Sequence, residues 1–491
     1  MKIITITLMI FLTVYAKAKS IERPHFNNKN VSFEIVLDQA IKNVPYLLVY
    51  EQGVYHHDAA RTGQKNVTSK IKNGNTYFFD LKAQNKPLYF SVMLSHTENG
   101  IIVCDEYFFE PGDSIKILIK PVKYPQNYDI HFSGIGSAKY NCKNEFKTVG
   151  LDDKSRKSAF INGIEYDTAN FTIRQINRLY HVIEKYKPEM SAYSYNLLHA
   201  DVLGRAGKDI CSLVCDLFRS LKSKSDTVSY KKLSDSFKNR FTYDFTKNVP
   251  DNILSESKEY NQFLLNYFCA KTMMESGYID FKIFFNYIKE VDNVPLRDKL
   301  ILNYITRYWS LIAGDLDYCL KESLKIISDK SIRARVKFFE NNVIGSTAYN
   351  FSLRDAKGNT VKLNDYKGKV VFIDFWYTGC GACMDYYDQV LSKVEERYSD
   401  NPNIVFITIS TDKKEIWQES LSKGKHTSRK VINLYTNNEG YNHEIIKYYN
   451  VRGYPRPLVI SRKGKIANID GRALRDMSRL IAAIEKELDV N

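Results

Sequence analysis

The stretch Val370-Val371-Phe372-Ile373-Asp374-Phe375-Trp376-Tyr377-Thr378-Gly379-Cys380-Gly381-Ala382-Cys383 decides how the last third of the chain folds. Val370–Phe375 is a nearly unbroken apolar run, the pattern of a strand buried on both faces, and a helical pattern follows through Cys383–Tyr398. Two cysteines spaced C-x-x-C where a buried strand turns into a helix are far more specific than the same spacing at large. A thiolate on Cys380 would lie at the helix amino end, where unpaired N–H groups and the macrodipole stabilise negative charge. Its pKa falls, so more of it is nucleophilic near neutrality. Cys383 lies one turn further in, close enough to attack a mixed disulfide formed at Cys380. Cys380 is therefore read as the attacking thiol and Cys383 as the resolving one. Half of a zinc site would need a second ligand pair, and His426 and His443 have no partner at suitable spacing. A fixed disulfide over two intervening residues would restrict the unfolded chain very little.

Asp374 interrupts the apolar strand six residues before Cys380. An unpaired carboxylate is costly to bury, and burial raises a carboxyl pKa towards neutrality, so Asp374 could take the proton from Cys383 as that thiol attacks. The alternative is a carboxylate that only caps a neighbouring backbone group.

Working outward, Phe351–Leu353 and Val361–Leu363 flank Lys357-Gly358-Asn359 as a hairpin. Strand Ile404–Ile409, helix Lys414–Lys423, strand Val431–Tyr435 and short helix His443–Tyr449 follow. Leu458–Ser461 pairs with Lys465–Asn468, and helix Ala473–Leu488 closes the chain. Such alternation predicts a mainly parallel sheet with a hairpin edge and helices on both faces. Val451-Arg452-Gly453-Tyr454-Pro455 precedes the strand at Leu458.

With Asn350-Phe351-Ser352-Leu353, Leu363-Asn364-Asp365-Tyr366-Lys367-Gly368-Lys369, Asp374-Phe375-Trp376, the Cys380–Cys383 motif and Gly453-Tyr454-Pro455 in place, residues 341–491 resemble a thioredoxin-fold domain. The resemblance is to thiol-disulfide oxidoreductases of the TlpA and ResA type from bacterial envelopes. It implies that Pro455 is cis and lies against the sulfurs, that the backbone of Tyr454 pairs with the bound substrate chain, and that Trp376 shields the site. It also implies protein disulfides as substrates, an upstream thiol donor in the envelope, reduction as the direction, and no cofactor beyond the cysteine pair. Two positions depart from the family pattern: Gly379 stands where a Trp is usual, and Ala382 where a Pro is usual. The intervening dipeptide influences reduction potential. A peroxidase reading fails, because Tyr377 occupies the place three before Cys380 where peroxiredoxins carry Thr.

Residues 30–135 read as short alternating runs, including Val31–Leu37, Tyr46–Tyr50, Leu88–Leu94 and Ser114–Ile119, with turn formers at Asn73-Gly74-Asn75, Asn99-Gly100 and Glu110-Pro111-Gly112-Asp113. They predict an antiparallel β sandwich. Tyr107–Asp113 with its following strand resembles the amino-terminal β domain that precedes thioredoxin domains in Bacteroidetes-like proteins. Residues 136–340 change to a helical period, predicting an all-α middle segment with helices at Phe171–Lys187, Ser191–Leu221, Glu256–Met274, Phe281–Val291, Leu296–Ala313 and Leu316–Ser328, with Asp280 and Asp315 at cap positions and Pro295 in a first turn. Cys211 and Cys215 share a helical face without ligand-spaced companions. They read as small buried apolar residues, as do Cys104, Cys142, Cys269 and Cys319, with one disulfide among these left open.

The chain of 491 residues suits several domains, and 44% apolar residues exclude disorder throughout. Its 71 Lys and Arg against 56 Asp and Glu give +15, a modest excess over this length. No arginine-rich tract argues for nucleic acid, while acidic envelope surfaces would attract such charge. Met1-Lys2, the apolar Ile3–Tyr15 and Ala16-Lys17-Ala18 have the layout of a secretory signal at residues 1–18, the alternative being an uncleaved anchor. Export to the periplasm or envelope is the expectation, where thiol chemistry has consequences. A different class of function also fits: an envelope adaptor binding a protein or glycan through its first 340 residues, with the redox domain accessory.

Overall fold

A computed structural model describes residues 30–51, 65–69, 71–82, 88–95, 101–122, 128–148, 167–223, 225–240 and 249–489. The signal at residues 1–18 and the turn at Asn99-Gly100 lie outside them. The described residues fall into two compact units, one ending at Asp280 and one beginning at Phe281.

In the first unit, β1 (Val31–Leu37), β4 (Ile71–Asn73), β5 (Thr76–Leu81), β8 (Ser114–Pro121) and β9 (Tyr128–Ile135) form one sheet, ordered β4-β5-β1-β8-β9. A second sheet, ordered β3-β2-β6-β7, contains β2 (Val44–Glu51), β3 (Lys65–Thr68), β6 (Leu88–Ser95) and β7 (Ile101–Phe109). Alternation sends Val31, Phe33, Ile35 and Leu37 inward, where they share a core with Leu47, Phe90, Val92 and Ile117 from both sheets. The sandwich is as expected except that β1 and β8 run parallel, because β1 is inserted between β5 and β8 rather than joined to its neighbour by a hairpin. In the Glu110–Asp113 turn, Gly112 takes φ 92° and the Asp113 amide donates to the Glu110 carbonyl at 3.1 Å.

Helices Ala138–Thr148, Asp167–Tyr186, Ala192–Ser223, Thr227–Arg240, Asp251–Glu256 and Lys258–Ser276 complete this unit. The helix expected over Glu256–Met274 is present as Lys258–Ser276, starting two residues later because Ser257 is its N-cap: its extended backbone (ψ 119°) lets its hydroxyl accept from the Tyr260 amide, and Glu256 ends the preceding helix. The helix Thr227–Arg240 lies outside the sequence expectation, its polar Lys231-Lys232 and Ser234-Asp235-Ser236 masking the apolar period.

The second unit opens with helices Phe281–Lys289, Val294–Tyr308, Leu316–Ile326 and Lys330–Lys337. Asp315 occupies a cap position, but its side chain makes no cap hydrogen bond; Asn293 and Asp329 supply side-chain caps to their helices instead. A sheet follows, built from β10 (Ser352–Asp355), β11 (Thr360–Lys362), β12 (Val370–Trp376), β13 (Ile404–Ser410), β14 (Ile432–Tyr435), β15 (Arg456–Ile460) and β16 (Ile466–Asn468) in the order β11-β10-β14-β13-β12-β15-β16. The expectation of a mainly parallel sheet is corrected here. Only β12–β13 and β13–β14 are parallel, whereas β10–β11, β10–β14, β12–β15 and β15–β16 are antiparallel. Hairpins close both edges, and β15 returns against β12 from the Tyr454-Pro455 loop. β12 lies inside the sheet between β13 and β15, with all seven residues buried. Its Val370 and Phe372 pack on helix residues Tyr386, Leu391, Val394, Leu480 and Ile484.

Candidate active site

The C-terminal end of β12 delivers the chain to a helix that begins at Gly381 and continues through a π turn, Tyr387–Leu391, to Arg397. Cys380 is the N-cap of that helix, and its sulfur accepts from the Cys383 amide at 3.1 Å. A side chain that can carry negative charge thus receives a helix-start N–H, as the spacing predicts. Cys380 and Cys383 are joined by a disulfide, with Cα atoms 5.2 Å apart. Their residues are 4% and 2% exposed.

Aromatic rings surround the sulfurs. Trp376, Trp417 and Tyr435 share a cluster with both cysteines, and Tyr377, Leu421 and Tyr454 pack against it. Trp376 stacks on His426 with centroids 4.8 Å apart, and Trp417 stacks on Tyr435 at 4.7 Å. Tyr454 meets Tyr377 edge-on at 5.3 Å. The Tyr454–Pro455 peptide bond is cis, and Pro455 is buried. The backbone around Cys380 lies open: a Cβ on Gly379, Gly381 or Gly453 would meet nothing within 4 Å. Gly379 has φ +88°, a conformation that the Trp usual at this position would adopt only with strain. Asp412 holds the preceding turn, accepting from the Thr378 amide and hydroxyl, both at 2.8 Å.

A family model described as thioredoxin-like matches residues 368–466. The thiol-disulfide oxidoreductase ResA of Bacillus thuringiensis subsp. konkukian is 31% identical over 130 residues, spanning 26% of this chain and 69% of that protein. The chain belongs to the thioredoxin-like thiol-disulfide oxidoreductases. ResA of Bacillus subtilis is 27% identical over 125 residues, 26% of this chain and 65% of its own length. The crystal structure of the thioredoxin domain of a Bacteroides vulgatus thiol-disulfide oxidoreductase is 28% identical, covering 29% of this chain and 96% of that one, with a TM-score of 0.26.

In this oxidoreductase Asp374 is 2% exposed, and burial pushes its carboxyl up to about 8, against a smaller opposing pull from the Arg475 guanidinium. The pleat puts Asp374 on the same face of β12 as Val370 and Phe372, beneath the helix that carries Cys383. Its Oδ1 has no hydrogen-bond partner among the described residues. The capping alternative is partly met, since the Phe375 and Arg456 amides lower its pKa, but burial outweighs them.

Three charged residues escape the sequence reading. Glu395 lies on the CxxC helix one turn after buried Leu391, and burial raises its carboxyl to about 7 while Ser428 donates to it at 3.0 Å. Its helical register with Leu391, Val394 and Tyr398 was the available signal. Arg475 donates to the Pro455 carbonyl, so one guanidinium bears on both the Asp374 charge and the cis-proline loop. Arg456, directly after Pro455, is only 6% exposed and lies over the Trp309 ring at 4.2 Å. Burial lowers its pKa to about 9. An Arg between two prolines at the start of an apolar strand could have marked it. Among the described residues, no group of three or more His, Cys, Asp or Glu could hold a metal ion, and no helix is long and apolar enough to cross a membrane.

Proposed function

We propose that this chain is an exported oxidoreductase that reduces protein disulfides at Cys380–Cys383, without a cofactor beyond that pair. In the reduced enzyme the Cys380 thiolate attacks one sulfur of a substrate disulfide; that S–S bond breaks and one substrate thiolate leaves. Cys383 gives its proton to Asp374 and attacks Cys380 Sγ, expelling the second substrate thiolate and closing the enzyme disulfide. An upstream dithiol in the periplasm or envelope returns the two electrons.

The observation that carries this reading is the Cys380 sulfur at a helix start, accepting the Cys383 amide beside backbone open at Gly379, Gly381 and Gly453. A substrate strand laid along that opening would pair with the Tyr454 backbone and pass Pro455, while Trp376 covers the sulfurs from inside. Burial pushes the Asp374 carboxyl up to about 8, into the range where a carboxylate is basic enough to take a proton from a thiol. Export rests on the layout of Met1–Ala18, and the positive charge suits acidic envelope surfaces.

Titrating the Cys380–Cys383 couple against glutathione tests the direction. A potential near that of thioredoxin, roughly −270 mV, is expected, and one near roughly −120 mV would make the protein an oxidant.

A further inference from the structure

A second pair of sulfurs lies in the first unit. Helices Ala192–Ser223 and Lys258–Ser276 run parallel along one seam, and their contacts advance together. Ser257 donates to Asp201 across 56 positions, and Asn266 to Ser212 across 54. Lys222 reaches the Gly277 carbonyl, just beyond the second helix, across 55. Small residues set the closeness. A Cβ on Gly204 would come within 2.2 Å of the Tyr260 amide nitrogen, and one on Gly207 within 2.5 Å of the Phe263 ring.

Cys215 and Cys269 have the same separation as Ser212 and Asn266 and lie one turn further along the seam. Cys215 is buried and Cys269 half-buried, and neither forms a disulfide in this structure. The Cys269 side chain is hydrogen-bonded to Cys215, which together with burial holds the Cys215 thiol above its ordinary range. Cys211, one turn earlier on the same face, is fully buried.

We propose that Cys215 and Cys269 are a second dithiol that closes to a disulfide, stapling the two parallel helices when a small disulfide oxidant is present. With oxidised glutathione, the half-buried Cys269 attacks as thiolate. The glutathione S–S bond breaks, one glutathione thiolate leaves, and Cys269 carries the other as a mixed disulfide. Cys215 then attacks Cys269 Sγ and expels the second glutathione. Two protein thiols are oxidised, one disulfide is reduced to two thiols, and the two thiol protons pass to the departing glutathiones. The pair lies within the helix bodies rather than at a helix start, so it lacks the charge stabilisation available to Cys380 and closes slowly. It acts as a staple, not as a turnover site.

The test incubates the full chain with excess oxidised glutathione, blocks remaining thiols by alkylation and maps peptides without reduction. A peptide pair joined through Cys215 and Cys269 is expected, with a melting temperature roughly 5–10 °C above that of Cys269→Ala treated in the same way. Alkylation of both residues, a persistent glutathione adduct on Cys269, or a bond from Cys269 to Cys211 would each overturn the proposal. The wild-type peptide map decides the matter even where a variant fails to fold.

Discussion

Cys380–Cys383 and Cys215–Cys269 place the same atoms in opposite surroundings. The first pair sits where a strand ends and a helix begins, with a backbone amide on its leading sulfur. The second sits mid-helix on a seam made close by Gly204 and Gly207, where helix amides already bond to helix carbonyls and none is left for a thiolate. On the mechanism proposed above, the end of a helix, rather than nearness of two sulfurs, is what makes a thiol acidic enough to turn over. A mid-helix pair can still be oxidised, but as a structural bond.

The sharpest way to break that comparison is to remove one sulfur from each pair. Cys380→Ser should lower dithiothreitol-fed insulin reduction by at least about 100-fold, whereas Cys215→Ala should leave it within about twofold. Equal losses would erase the distinction.

Next in size is Asp374→Asn, expected to slow turnover by about 10–100-fold while stabilising the oxidised protein. Burial raises this carboxyl from 3.8 to about 8. Between those values the folded chain holds a proton that the unfolded chain has released, so stability is greatest below the lower value and declines as pH rises towards the upper one. Urea unfolding should show the wild type losing on the order of 4 kcal/mol from this group between pH 5 and pH 8, a loss absent in the Asn variant.

Gly204→Ala sharpens the seam side of the comparison. The new methyl meets the backbone of Tyr260 and should cost about 2 kcal/mol of stability, lower the yield of the Cys215–Cys269 cross-link and leave the rate of Cys380 alkylation unchanged. The smallest effect belongs to Arg475→Gln. It removes a cation that lowers the Asp374 pKa, so the pH midpoint of the resolving step should move up by roughly half a unit. A downward move would contradict the assigned sign.

How much of this was legible in the residues differs between the two regions. The CxxC, the buried strand and Asp374 could be read because each is a local pattern: an apolar run, one charge inside it, two sulfurs at helical spacing. The Cys215–Cys269 register could not, because it depends on how two helices separated by a crossover align, and spacing within one helix says nothing of the other. The parallel pairing of β1 with β8 and the antiparallel return of β15 are also long-range choices that short-range alternation leaves open. Arg456 lay in plain view between Pro455 and Pro457. Its seat on Trp309 joins the helical opening of the second unit to the cis-proline loop, a contact between residues far apart in the chain.

The most direct test of the account is the pH dependence of iodoacetamide labelling of the reduced protein, read residue by residue. Cys380 should label first, with a midpoint well below about 8.5, while Cys383, Cys215 and Cys269 lag behind. A Cys380 midpoint at or above that value, or first labelling at any other cysteine, would contradict it.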